Sequence, residues 1–282
     1  MSAASPRTER ALAGRTVLMS GGSRGIGLAI ALAAARQGAN IVLLAKTDVP
    51  HPRLPGTIHT AVAEIEAAGG RAVGVVGDVR DDEAVERAVS AAVDGFGGID
   101  VVVNNASVID LRGSLELPSK SYDLMQDVNV RGSYQLSRAA MPALLRSASP
   151  VVLSLAPPVS LDPRWLGAHP AYTTAKFGMT LVTLGLGAEF ADRGLTACTL
   201  WPRTTIRTAA VANVLGGEEL MRRSRTPEIY ADAAALVLAD AGGRYNGRSL
   251  IVEDVLAEHG VTDLSGYSPG VDESELFPDI FL

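Results

Sequence analysis

A doubly wound α/β domain built on a parallel sheet is predicted by three observations on this chain of 282 residues. Short apolar runs alternate with longer segments of helical period from Thr16 to Val252. The second such run reads NIVLLA over 40–45, apolar without alternation, as a strand covered on both faces must be. A glycine-rich turn, SGGSRGIG, lies between the first strand and the first helix. Repeated strand–helix units of this kind close into a parallel sheet with helices on both faces.

The elements follow in order. TVLM predicts a strand over 16–19. The alanine- and leucine-rich run 27–37 predicts a helix closed by Gly38. A strand over 40–45 is followed by a Gly/Pro-rich inserted loop over 47–56 and a helix over 57–68 that stops at Gly69-Gly70. Strands over 72–76 and 100–103 flank a helix over 83–94, whose acids Asp81, Asp82 and Glu83 suit a helix start. A long helix is expected over 124–140, a strand over 150–155, a helix over 172–190 and a strand over 195–200. A helix over 231–238 and a strand over 249–252 complete the pattern. The reading is one domain over 1–282, with a loose tail over 1–11 and an extension over 253–282.

Composition narrows the function classes. The chain is 47% hydrophobic and 20% charged, with formal net charge −6. That balance suits a folded globular protein and argues against nucleic acid as partner. One cysteine, Cys198, allows no internal disulfide and fits a reducing, cytoplasmic setting. No apolar run is long enough to span a bilayer, and the four histidines lack metal-ligand spacing, so no catalytic metal is expected. The apolar sequence ELFPDIFL near residue 280 requires cover, from its own domain or from a neighbouring subunit.

Gly21, Gly25 and Gly27 form a G-x-x-x-G-x-G turn that follows a strand and opens a helix. Glycines let the backbone approach a pyrophosphate, and the helix start offers free N–H groups and a positive dipole end. A dinucleotide is therefore the expected ligand. At the end of the second strand stand Ala45-Lys46-Thr47, with no acid to hold ribose hydroxyls until Asp48. Arg24 and Lys46 are placed to flank a 2′-phosphate, which favours NADP over NAD.

Tyr172 and Lys176 stand four apart in AYTTAKFGM, a spacing that shares one helix face. A phenol with an ordinary pKa of about 10 is a poor proton carrier near neutrality, and a nearby cation favours its anion. Such a pair beside a nicotinamide suits proton transfer to or from a carbonyl or alcohol oxygen.

These marks together resemble the short-chain dehydrogenase/reductase family of the classical type, over roughly residues 12 to 252. They comprise SGGSRGIG, Asp78 in GDVR, NNAS from Asn104 to Ser107, Asn129 in NVRG, and Tyr172 with Lys176. The runs LAPPVSLDPRWLGAHPAYTTAKFGM and LWPRTTIRTAA are similar to the hydroxysteroid dehydrogenase-like branch. Human-type members of that branch carry an added sterol-carrier domain in peroxisomes, and this chain is expected to lack both that domain and the peroxisomal signal. The resemblance implies a Rossmann fold, hydride exchange between NADP and a secondary alcohol or ketone of lipid-like character, and a homodimer or homotetramer. The alternative function is a cofactor-binding protein of the same fold with little or no redox activity.

The resemblance also implies the site. Cofactor contacts are expected from Gly21, Ser23, Arg24, Gly25, Ile26 and Gly27, then Lys46, Asp78 and Val79, then Asn105 and Ala106. Further contacts fall to Tyr172, Lys176, Pro202, Thr205 and Ile206. Asn104 and Asn105 are expected to support the cofactor side of the sheet, and Asn129 to hold a water in a proton relay to Lys176. Two departures stand out. Ala156 and Pro157 occupy the place of the family's hydroxyl-bearing serine, which leaves Ser160, or Ser154 close by unless it points into the sheet, or else water, a backbone N–H or impaired catalysis. Arg203 follows Pro202 where the family has glycine, and is read either as a pocket cation for acidic substrates or as an outward-facing side chain. Trp165, Leu166, Trp201 and Val211 are expected at an apolar lip, and His169 in a loop.

Overall fold

Residues 10–50 and 56–282 are described by a computed structural model of the chain. The N-terminal tail over 1–9 and the loop residues 51–55, His51 among them, lie outside the described residues.

Seven strands are β1 (Thr16–Ser20), β2 (Asn40–Ala45), β3 (Arg71–Val76), β4 (Val101–Asn104), β5 (Val151–Ser154), β6 (Thr196–Trp201) and β7 (Ser249–Ile251). All neighbours pair in parallel, in the order β3-β2-β1-β4-β5-β6-β7. The helices are α1 (Gly25–Arg36), α2 (Ile58–Ala67), α3 (Asp82–Phe96), α4 (Ser119–Met125), α5 (Gly132–Leu144), α6 (Pro163–Ala168), α7 (Pro170–Glu189), α8 (Gly217–Arg222), α9 (Glu228–Ala239) and α10 (Val252–Glu258).

Burial on both faces explains the unbroken apolar strands. In β2, Ile41 and Leu43 enter one core layer with α1 and α9, while Val42 and Leu44 enter the other with α3 and α5. Each such side chain contributes about 1.5–3 kcal/mol by leaving water. Strand order reverses between β1 and β4, where Ser20 stands opposite Asn104. Crevices at the carboxyl ends of parallel strands open at such a reversal.

Several elements differ from expectation, α8 among them. The helix expected over 124–140 runs as α4, a π-helical stretch Gln126–Arg131 and α5. Its early start follows from Pro118, which sits in extended conformation just ahead of Ser119. Near its middle, Gly132 lies against Val79, where a Cβ would approach Cγ1 to 2.8 Å. The last strand ends at Ile251, and Val252 already opens α10. The short α6 arises where Asp162 accepts from the Arg164 N–H at 2.9 Å and Pro163 occupies the first turn.

The C-terminal residues 277–282 cover their own domain. Thr205 N donates to the Phe277 carbonyl at 3.0 Å, Thr204 bridges Pro278, and Asp279 N donates to the Arg203 carbonyl at 2.9 Å. Among the described residues no helix is long and apolar enough to cross a membrane, and no group of three or more His, Cys, Asp or Glu residues is placed to hold a metal ion. Cys198 is wholly buried on β6, and burial pushes its thiol up to about 12.

Candidate active site

The reversal between β1 and β4 is tied by one hydroxyl and one amide. Ser20 Oγ accepts from the Asn105 and Ala106 N–H groups at 3.3 and 3.1 Å. Asn105 Nδ2 donates to the carbonyls of Ser20 and Gly21 at 3.0 and 2.8 Å. Gly21 has φ +76°, and a Cβ there would meet Ala106 Cα at 2.9 Å, so this turn needs glycine. The start of α1 carries no side-chain cap, which leaves its first N–H groups open toward the crevice.

A cavity of about 390 Å³ opens there, bounded by the glycine turn, Lys46 at the end of β2, Asp78 and Val79 after β3, and Asn105 and Ala106 after β4. Gly21, Ser23, Arg24, Gly25 and Ile26 line it as expected. Gly27 does not. It packs under the turn, where a Cβ would come within 2.5 Å of Asn105 Nδ2. Asp78 accepts from Arg80 N, Nε and Nη2 at 3.0, 3.1 and 2.8 Å, and those bonds hold its carboxyl below the usual range. Arg24 donates through Nη2 to the Gly56 carbonyl at 3.0 Å, and its Nε is buried with no partner among the described residues. That orphaned donor and the glycine cradle both fit the phosphates of a dinucleotide.

A second cavity, about 190 Å³, adjoins the first and is lined by Tyr172, Lys176, Trp201, Pro202, Asp279 and Ile280 among others. Ser107 and Thr208 border both cavities. Tyr172 and Lys176 project from one face of α7 and are 4% and 3% exposed. Lys176 Nζ donates to the Leu155 carbonyl at 2.8 Å, lies 3.7 Å from Met179 Sδ, and sits 5.2 Å over the Trp201 ring. Burial pulls the Lys176 ammonium down to about 7, against the opposing pull of the Asp279 carboxylate. Burial, followed by that same carboxylate, pushes the Tyr172 phenol well above its ordinary value. The cation thus does not offset burial of the phenol here, contrary to the expectation from spacing alone, because Lys176 is itself desolvated and turned to a carbonyl.

The remaining expected residues fall as follows. Asn129, on the π-helical stretch, spends its amide on Val108, accepting from N at 2.8 Å and donating to O at 3.0 Å. Asn104 Nδ2 donates to Ser137 and Ser154 hydroxyls at 3.0 and 3.1 Å. Ser154 is fully buried and also accepts from Thr183 Oγ1 at 2.6 Å, so it faces the sheet. Ser160 Oγ accepts from Asp162 N at 3.2 Å and lies outside the lining of both cavities. Thr205 bonds Ser224 Oγ at 2.7 Å and also lies outside both linings, whereas Ile206 borders the second cavity. Arg203 turns outward to Asp254 at 2.7 Å. Of the expected lip, Trp201 and Val211 line the second cavity, Trp165 packs on Phe281, and Leu166 is exposed. His169 Nδ1 bonds the Leu111 carbonyl at 2.6 Å.

Sequence reasoning missed Asp279 and Ile280 as cavity walls. The need of ELFPDIFL for cover was the available signal, but no spacing connects residue 279 to residue 176.

The chain matches the short chain dehydrogenase family over residues 15–218. Hydroxysteroid dehydrogenase-like protein 2 of Danio rerio is 49% identical over 274 residues, covering 96% of this chain and 64% of that protein. The chain therefore spans less than two thirds of this relative's length. A crystal structure of a short chain dehydrogenase from Mycobacterium thermoresistibile has 53% identity and a TM-score of 0.90, covering 96% of each chain. A structure from Beutenbergia cavernae that holds NADP at low occupancy has 30% identity and a TM-score of 0.73, covering 86% of this chain and 97% of that one.

Ser154→Ala is expected to cost stability rather than ligand binding, because it strips an acceptor from two buried donors. Urea unfolding should show a loss of about 1–3 kcal/mol, while the dissociation constant for dinucleotide stays within about twofold.

Proposed function

The chain belongs to the short-chain dehydrogenase family, and from that premise we propose that it reduces a ketone, or oxidises the matching secondary alcohol, with NADP. The single observation that carries this reading is the placement of Tyr172 and Lys176 in a small apolar-walled cavity that shares Ser107 and Thr208 with the dinucleotide cradle. A bound nicotinamide dinucleotide supplies hydride chemistry. The protein supplies the proton and the placement.

Tyr172 keeps its proton as the free protein stands, since burial and Asp279 both oppose the phenolate. The protonated phenol is the form that serves as general acid in the reductive direction: its O–H donates to the carbonyl oxygen as negative charge develops there. Lys176, held by the Leu155 carbonyl, is the cation nearest that phenol along α7. Ser107 and Thr208 carry hydroxyls that border both cavities, and Ser107, next to Ala106 after β4, is assigned the part of the serine missing at Ala156. The Ile109, Trp201, Val211 and Leu215 walls suit a lipid-like substrate. Arg203 pairs outside with Asp254 and so does not draw an acidic one.

Arg24 and Lys46 line the cradle where an NAD enzyme would place a carboxylate, which supports NADP. A relative's bound NADP is consistent with that choice. Asp78 at the cradle edge is assigned to the adenine end. Exposed Tyr122 on α4 and Tyr134 on α5 support assembly as a homodimer or homotetramer, and the composition supports a cytoplasmic setting. One observation favours the second reading, a cofactor binder with little turnover: Ser154 faces the sheet and Ser160 lies off the cavity, so neither replaces the missing hydroxyl.

Turnover of NADPH with a panel of aliphatic, aromatic and steroid ketones decides between them. Tyr172→Phe should lower kcat by at least about a hundredfold, with NADP affinity within about twofold; equal turnover in both proteins removes the proton-transfer role. Ser107→Ala should lower kcat at least about tenfold, as loss of one donor to a developing oxyanion does, while Ser160→Ala leaves it near wild type. By calorimetry, Lys46→Glu should weaken NADP binding at least tenfold, about 1.4 kcal/mol, and leave NAD binding nearly unchanged.

A further inference from the structure

The cavity that holds Tyr172 and Lys176 also contains a carboxyl from a distant part of the chain. Asp279 borders it, and no family mark accounts for this carboxyl. Its position is built. Asp279 N donates to the Arg203 carbonyl at 2.9 Å, and its Oδ1 accepts from Ile280 N at 2.7 Å. Trp201 Nε1 donates to the Ile280 carbonyl at 3.0 Å. Two residues beyond Asp279, Phe281 is 4% exposed and sits among four aromatic rings. Its ring stacks on Tyr172 at 6.0 Å and 27°, and meets Phe177 at 5.2 Å and Trp165 and Trp201 at 6.0 Å each. Phe281 holds φ +80°, a conformation costly for an aromatic residue, which the surrounding rings must stabilise.

We propose that Asp279 is a positioning residue for the Tyr172–Lys176 pair: a carboxylate fixed in the substrate cavity by the Phe281 anchor, whose charge holds the lysine ammonium and also bears on the phenol. This rests on the oxidoreductase reading above. A buried ammonium needs an opposite charge to persist, and among the described residues Asp279 is the acid whose charge acts on Lys176. The effect is mutual. Withdrawal from solvent pushes the Asp279 carboxyl up to about 7, and Lys176 pulls it back. The other groups facing this centre are accounted for. Glu253 accepts from Arg203 N at 3.0 Å and adds a repulsion to Asp279. Tyr230 donates to the Leu200 carbonyl, Arg225 pairs with Glu273, and His169 is held by Leu111.

The sign follows. Asp279 keeps the proton on Lys176 to higher pH, and Lys176 keeps the proton off Asp279 to lower pH. The two tryptophans of the chain, Trp165 and Trp201, both touch Phe281, and Trp201 lies under the lysine. Tryptophan fluorescence of the ligand-free protein against pH therefore reads the pair directly. His169→Gln serves as the background, to remove a histidine signal. In that background a transition near pH 7 is expected. Asp279→Asn, which conserves volume, should move it to lower pH by about one unit or more, and Lys176→Met should move it to higher pH by a similar amount. Phe281→Leu should weaken the coupling and shrink both shifts. In the reductive direction, the alkaline limb of kcat/KM should move down with Asp279→Asn. Unchanged midpoints in folded Asp279→Asn and Lys176→Met proteins overturn the proposal. The fluorescence titration uses neither cofactor nor substrate, so its failure is distinct from failure of turnover, which Tyr172→Phe decides.

Discussion

The bonds that bind β1 to β4 are the constraint on which the site depends. A parallel sheet that reverses strand order must splay its chain ends apart, leaving N–H and C=O groups that need partners. Here Ser20 and Asn105 supply them reciprocally, and the reversal becomes a fixed cleft rather than a loose one. Gly21 and Gly27 follow from that closure, because Asn105 and Ala106 occupy the space a side chain would need. The dinucleotide cradle is thus a consequence of satisfying a few polar atoms at two strand ends.

A second layer of polar bracing lies one strand further on. Asn104, Ser137, Ser154 and Thr183 form a buried hydroxyl–amide chain that joins β4, α5, β5 and α7. Buried networks of this kind rigidify the elements they connect, even though Asn104 Oδ1 has no partner among the described residues. This one fixes the rotation of α7 about its axis, and with it the direction in which Tyr172 and Lys176 leave the helix. Ser154 serves that purpose and not the chemistry.

Most of the sheet was legible because its signal is local. Apolar runs flanked by glycine and proline placed the strands within a residue or two of their ends, and Asn40–Ala45 was read without error. The helix over α4 and α5 was read short at both ends. Its first turn is polar and exposed, so hydrophobic period gives no sign of it, while Pro118 does. The glycine turn and the Tyr172–Lys176 pair were legible from spacing. Ser160 was a reasonable guess by offset, but the Asp162 turn draws its hydroxyl away. For Arg203 the local sequence leaves a pocket cation and an outward-facing side chain both open, and pairing with Asp254, fifty-one residues on, takes it outward. For residues 277–282 the sequence shows only a need for cover; their place at the site depends on a tertiary contact with α7 and β6 that no periodicity encodes.

Cys198 carries a practical consequence. It lies on β6, one strand in from the sheet's edge, wholly enclosed, with its thiol pushed to about 12. Oxidants and alkylating reagents act on exposed thiolates, so the native fold presents them with no target. Any cysteine introduced on the surface then becomes the sole reactive one, and spectroscopic labels can be attached at chosen points without first stripping the chain of its own sulfur.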